Sequence, residues 1–280
     1  MEAGAGGRSR GRPRASHRDV VLVEVDDGVA VITLNRPEAR NALNRAVRSR
    51  LPKVITELEH DDEVDVMILT GADPAFSAGV DLKEASGQTP RSAETRGPGE
   101  GPERGENGLY RFFPVIDKPV IGAINGVAVT GGLEIALQCT FLVASDRARF
   151  ADTHARVGIM PGGGITVLMA QSMGPRRAIE QSLTGNFLTA DDALRWGLVN
   201  HVVPHEELLA FTRRLAGDIV SNDQQGVRRL LRHYRQMTNA ATLDEAHLIE
   251  GHMAETWRPD MAQVGERRAD VTARGRSQTS

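Results

Sequence analysis

Two stretches of the chain set glycine beside an acidic residue: Ala78-Gly79-Val80-Asp81 and Thr130-Gly131-Gly132-Leu133-Glu134. Glycine lets a backbone approach a ligand closely, and free amides at the start of a helix carry partial positive charge. Two such amides aimed at one carbonyl oxygen would hold a developing oxyanion, and one such donor is worth about 2.7–4 kcal/mol where it has been removed. Taken alone, the same residues also read as plain turns. Glu134 lies between Leu133 and Ile135 directly after the second turn, which suits a carboxylate turned inward as a base more than a charge on a solvated face.

Other constellations carry less. Gly97-Pro98-Gly99-Glu100-Gly101 follows no strand, so it does not read as a nucleotide loop. His201 and His205 are four apart but separated from a common helix face by Pro204, which makes a surface turn the expectation and leaves no metal site. Ser77 has no Gly-x-Ser-x-Gly elbow around it, so a serine triad with His154 is set aside. The single cysteine, Cys139, sits in an apolar run and reads as buried filler with no disulfide partner.

The elements that must position the two turns follow from local patterning. Val20 to Val25 and Val29 to Leu34 are β-branched runs joined by Asp26-Asp27-Gly28, the signature of a hairpin. Asn41 or Asn44 can cap a helix toward Glu59, with Pro52 expected to kink or split it. Val64 to Thr70 reads as a buried strand, and Pro119 to Val129 as an apolar run broken at Asn125-Gly126. Phe141 to Ser145 is a further strand; helices are expected around Ile165–Met173, Pro175–Leu183 and Ala190–Trp196, with Val199–Pro204 extended. Strands and helices mixed first, then helices alone, imply an α/β core at 19–205 and a helical region at 206–280. Residues 85–108 are dominated by Gly, Pro, Glu, Arg and Ser and are expected to form a mobile loop; the Gly/Arg-rich 1–18 are expected to be a disordered tail.

At 280 residues, 40% hydrophobic and 25% charged, the chain can bury a full core. A formal charge of -3 argues against nucleic acid or an anionic membrane as partner, and no stretch has the length of a bilayer span. Without an apolar leader, a cytoplasmic location is the expectation.

Leu34-Asn35-Arg36-Pro37-Glu38-Ala39-Arg40-Asn41-Ala42-Leu43, Ala75-Phe76-Ser77-Ala78-Gly79-Val80-Asp81-Leu82 and Pro119 to Glu134 together resemble the enoyl-CoA hydratase/isomerase (crotonase) family. Gly158 to Gly164, Ala190 to Gly197 and Gly197 to Pro204 extend the likeness, which covers roughly residues 20–255 in one order. The resemblance implies a spiral of ββα repeats with a C-terminal helical trimerisation region, and a homotrimer or homohexamer. It implies a coenzyme A thioester as substrate, with the coenzyme part of that substrate and no separate cofactor. Carried over by position, the amides of Val80 and Gly131 form the oxyanion hole, and Arg40, Ala42, Ala78, Asp81 and Leu82 lie along the coenzyme.

The family's hydratases use two glutamates, and here the match is partial. Glu134 falls on the first; Phe150 to Gly158 places His154 on the second. An imidazole titrates near neutrality and can carry a proton either way, so His154 is expected to share the acid–base work with Glu134 or else to fill the pocket without taking part. If 152–156 are extended, Asp152 shares a face with His154 and can orient it; in a turn the two are not expected to meet. The leading expectation is hydration of a 2-enoyl-CoA. Isomerisation of its double bond, an acyl-CoA binding protein without chemistry, and a hydrolase or decarboxylase are the alternatives.

Overall fold

The computed structural model describes residues 19–81, 84, 112–238, 240–259 and 261–279. The expected tail at 1–18, the expected loop at 85–108 and Leu82 lie outside the described residues.

Strands β1 (Val21–Asp26) and β2 (Val29–Leu34) form the expected hairpin, with Asp26 opposite Val29. Its two turn residues, Asp27 and Gly28, both have positive φ, which matches the twist of a two-residue hairpin loop. Asn44 caps α1 (Arg45–Glu59) by accepting the Val47 N–H at 3.0 Å. Pro52 lies inside α1 without splitting it. Its missing N–H and ring clash are offset by burial of Val47, Leu51, Val54, Ile55 and Leu58 along one face.

The chain then repeats a pair of strands followed by a helix. The pairs are β3 (Val66–Gly71) with β4 (Ala75–Ser77), β5 (Val120–Ile124) with β6 (Val127–Val129), and β7 (Phe141–Ser145) with β8 (Arg149–Ala151). Helix α2 (Gly131–Leu137) follows the second pair, and the single turn α3 (His154–Val157) the third. Helices α4 (Ile165–Met173) and α5 (Pro175–Thr184), strand β9 (Leu188–Thr189), helix α6 (Ala190–Trp196) and strand β10 (His201–Val203) complete the spiral. First members join one six-stranded sheet, β1-β2-β3-β5-β7-β10, parallel from β2 onward; second members join a smaller sheet, β4-β6-β8-β9. The break at Asn125-Gly126 is where the chain crosses from one sheet to the other.

Both faces of the large sheet are buried, which explains its unbroken apolar runs. Val29, Val31, Val66, Ile68, Ile121, Ala123 and Val143 pack with Leu208 and Ala216 of α7 (Leu208–Val220). Alternate residues Ile32, Leu34, Met67, Leu69 and Ile124 pack on the other side with α1 and the small sheet. Cys139 is buried, and burial pushes its thiol pKa up.

Two compact units divide at Arg228/Arg229. The first includes α7, so the helical region expected from 206 contributes a core helix to it. The second holds most of α8 (Gln224–Met237), with α9 (Leu243–Glu255) and α10 (Met261–Thr279). Within it Arg229 donates to Met253 O at 2.5 Å and to Thr256 Oγ1, and stacks over Trp257. No described helix is long and apolar enough to cross a membrane.

Candidate active site

Three parallel neighbours in the small sheet bring the chemistry together. Register pairs Ala75 with Val127 and Val129 with Ala151, so β4, β6 and β8 end side by side. From those three carboxyl ends emerge Ala78–Asp81, Thr130–Glu134 and Asp152–His154. Residues scattered over more than 70 positions become neighbours because each follows the second strand of its own repeat.

The two glycine turns face each other at close range. Gly79 has φ +85°, and a Cβ there would lie 2.6 Å from Val129 O and 3.3 Å from Gly131 N. A Cβ on Gly131 would lie 3.5 Å from Val80 N. Val80 pairs with Leu43 through Leu43 N–H to Gly79 O (2.8 Å) and Asp81 N–H to Leu43 O (3.4 Å), which leaves the Val80 N–H outside the bridge. Gly131 is the first residue of α2, and the helical bonds begin with Glu134 N–H to Thr130 O at 2.9 Å. Its amide is therefore one of the donors a helix start leaves open.

Thr130 sets the angle of that turn. Its φ of 52° and ψ of -112° are rare for a β-branched residue. It is held there by its N–H on Ala151 O (2.9 Å) and by Oγ1 on Thr153 Oγ1 (2.6 Å). The same bonds tie the Thr130-Gly131 turn to the segment that carries His154.

Glu134 is 4% exposed, and Oε1 accepts the Gly163 N–H at 2.8 Å. Burial raises its pKa above the usual carboxylate value, with the Gly163 and Gly162 amides and the charge of His154 pulling the other way. A raised pKa makes a carboxylate a stronger base near neutrality. His154 is mostly buried, and its Nδ1 lies 2.6 Å from Asp152 Oδ1. The expectation that Asp152 and His154 meet only on an extended strand is corrected here. His154 opens the turn α3, and Asp152 reaches it by accepting the His154 backbone N–H at 3.1 Å, the local turn that aspartate favours. Asp152 also accepts the Ser182 hydroxyl at 2.6 Å. Burial would raise its pKa, but the bonds from His154 and Ser182 outweigh burial and hold it low.

Among the residues expected to line the coenzyme, Arg40, Ala42, Ala78 and Asp81 come together. The Ala78 N–H donates to Arg40 O at 2.9 Å. Arg36 bridges Ala42 O (2.5 Å) and Asp81 (3.1 Å), so the Asp81 carboxylate is engaged within the protein. Asn41 is buried with φ +55° and pins this wall: Nδ2 donates to Ala72 O (2.7 Å) and Ala75 O (2.6 Å), while Oδ1 accepts the Arg36 N–H (2.9 Å). The sequence marks Asn41 only as a candidate helix cap; its bridging role, Gly163 as partner of Glu134 and Ser182 as partner of Asp152 have no local signal. Ser77 donates to Asn41 O and is fully buried. His205 lies between Asp73 (Nε2, 3.1 Å) and Ser145 (Nδ1, 3.1 Å), tying chain turns together where a plain surface turn was expected. Among the described residues, no group of three His, Cys, Asp or Glu could hold a metal ion.

Comparison with known proteins agrees with this geometry. Residues 24–265 match the enoyl-CoA hydratase/isomerase family profile. The chain is 42% identical over 208 residues to "Probable enoyl-CoA hydratase 1, peroxisomal" of Arabidopsis thaliana, covering 72% of this chain and 73% of that protein. It is 40% identical over 205 residues to "Short-chain-enoyl-CoA hydratase" of Clostridium acetobutylicum, covering 72% and 76%. A crystal structure of enoyl-CoA hydratase from Mycobacterium tuberculosis H37Rv superposes with a TM-score of 0.70 at 46% identity, over 85% of this chain and 98% of that one. With the ββα spiral, the two facing glycine turns and the buried Glu134 already in place, this chain belongs to the enoyl-CoA hydratase/isomerase family.

Proposed function

We propose that this protein is an enoyl-CoA hydratase, adding water across the 2,3 double bond of an enoyl-CoA thioester, with Val80, Gly131, Glu134 and His154 carrying the reaction. The observation that carries this assignment of residues is the closeness of the Val80 and Gly131 amides beside a buried, basic Glu134 at adjoining strand ends. The thioester oxygen sits between the two amides. Glu134 takes one proton from water as the water oxygen bonds to C3. The π pair moves to C2 and onto the thioester oxygen, where the amides hold the enolate. C2 then takes a proton from His154 as the enolate collapses. Water has been added once across the bond, and exchange with solvent resets Glu134 to the anion and His154 to the protonated ring. The coenzyme is part of the substrate, and the reading requires no other cofactor. Arg40, Ala42, Ala78 and Asp81 form the wall along the coenzyme, largely through backbone groups; Leu82, outside the described residues, is assigned to the coenzyme by position in the sequence alone.

A homotrimer or homohexamer is part of the same reading, supported by large apolar side chains exposed between Val157 and Phe187, among them Met160, Ile179 and Leu183. A cytoplasmic location is supported by the lone cysteine, which forms no disulfide within the chain. The test follows loss of the conjugated enoyl-thioester absorbance with short- and long-chain enoyl-CoA. Glu134→Gln and His154→Ala should each lose about 100-fold or more in kcat while still binding a saturated acyl-CoA. Binding without any loss of absorbance in the parent protein would overturn the hydratase reading.

A further inference from the structure

By the sequence resemblance His154 falls where the family's hydratases carry a glutamate, and a histidine there has a requirement that a glutamate lacks. A carboxylate offers two equivalent oxygens. A neutral imidazole has one N–H and one lone pair, and the partner of one nitrogen decides what the other can do. Here that partner is Asp152, 1% exposed, with Oδ1 2.6 Å from Nδ1. A carboxylate only accepts, so Nδ1 must carry the proton. The second oxygen, Oδ2, accepts the Ser182 hydroxyl from α5 at 2.6 Å, and the His154 backbone N–H adds a third donor. Three donors on one buried carboxylate fix its plane and therefore the plane of the ring.

We propose that Asp152 and Ser182 are positioning residues that lock His154 in the Nδ1–H tautomer, reserving Nε2 for proton exchange with C2 of the substrate. The proposal rests on the hydratase reading. Ser182 acts at one remove: its hydroxyl bonds to Asp152 and holds that carboxylate against rotation. Asp152, at the end of β8, and Glu134, on α2, both interact with the charge of the ring. From α5 the ring's support is the uncharged Ser182.

A double-mutant cycle separates positioning from packing. In the full-length protein, Ser182→Ala should lower kcat about tenfold and Asp152→Asn about 100-fold, each with KM within about twofold. In a His154→Gln background, Ser182→Ala should cost less than about twofold, because no ring is left to position. An equal loss in both backgrounds would make Ser182 a packing residue and overturn the proposal. A second readout needs no turnover. In protein with 15N-labelled histidine, the ring signals that vanish in His154→Gln should report an Nδ1 that stays protonated across a pH series, with Nε2 the site that gains and loses a proton, and a mixture of tautomers in Asp152→Asn. A neutral ring protonated on Nε2 alone in the parent protein would sink the positioning role whether or not the protein is active. An Nδ1–H ring in a protein that hydrates nothing would support the positioning and overturn the hydratase reading instead.

Discussion

Gly163 is the residue on which the placement of Glu134 most directly depends. Its N–H donates to Oε1 at 2.8 Å, and a Cβ added there would lie 2.6 Å from Oε2, 2.7 Å from Cδ and 2.7 Å from Phe112 Cε2. Ordinary contact begins at 3.4 Å, so Gly163→Ala must displace the carboxylate by about 0.8 Å, or move its own loop by as much. Glu134 has little room to yield. It is 4% exposed, and α2 is seated on β4 so tightly that a Cβ on Gly132 would lie 2.3 Å from Ser77 O. A shift near 1 Å in a catalytic group can cost about 100-fold in rate. Overpacking adds a stability loss of about 1–3 kcal/mol, or roughly 2–12 °C in melting temperature for a chain of this size. Gly163→Ala is therefore expected to lose about 100-fold in kcat for enoyl-CoA hydration, with KM for the thioester changed less than about threefold. A variant that melts lower yet keeps kcat within about threefold of the parent would refute the reasoning, since turnover would then not depend on where Glu134 is held.

Two further outcomes follow from the same contacts. Asn41→Ala leaves two carbonyls and one amide without their buried partner and puts alanine at φ +55°. It should cost about 3–5 kcal/mol in denaturant unfolding and raise KM through the loosened Arg40–Ala42 wall; a loss under about 1 kcal/mol would contradict the bridging role. Glu134→Gln should make the protein more stable while it abolishes turnover. Burial raises the native pKa of Glu134 above its unfolded value. Its favourable contribution is thus complete below the unfolded pKa and is lost as pH rises through the native one. Melting curves should show the variant above the parent at pH 8, with the gap closing toward pH 4, and a parent at least as stable at pH 8 would reverse the sign.

What the sequence reveals here is what neighbours in the chain decide. The Asp27-Gly28 hairpin, the unbroken apolar runs of β3 and β7 and the glycine turns at 79 and 131 each depend on residues within a few positions, and each stands where local patterning puts it. Pro52 does not split its helix, because a packed face of five apolar residues outweighs one broken helical bond. Asp152 and His154 depart from the local pattern for a subtler reason. Their meeting was expected to need an extended backbone, yet a carboxylate two residues upstream can cap a turn and reach the ring at once.

Ser182 lies 30 residues from Asp152, a small polar residue among the mixed polar and apolar positions of its helix, so its own neighbourhood marks nothing. Only the docking of α5 against the end of β8 gives it a partner. The histidine at 154 shows why such partners matter. Glutamate could serve there without help in choosing a tautomer, whereas histidine requires a buried acceptor, and that acceptor in turn requires donors to remain charged in a dry site. Asp152 supplies the first need from the adjacent chain, and Ser182 helps meet the second from across the fold. A histidine at 154 therefore draws on at least two further residues. A relative carrying histidine at this position without an acid two residues before it would lack the acceptor that fixes the ring here.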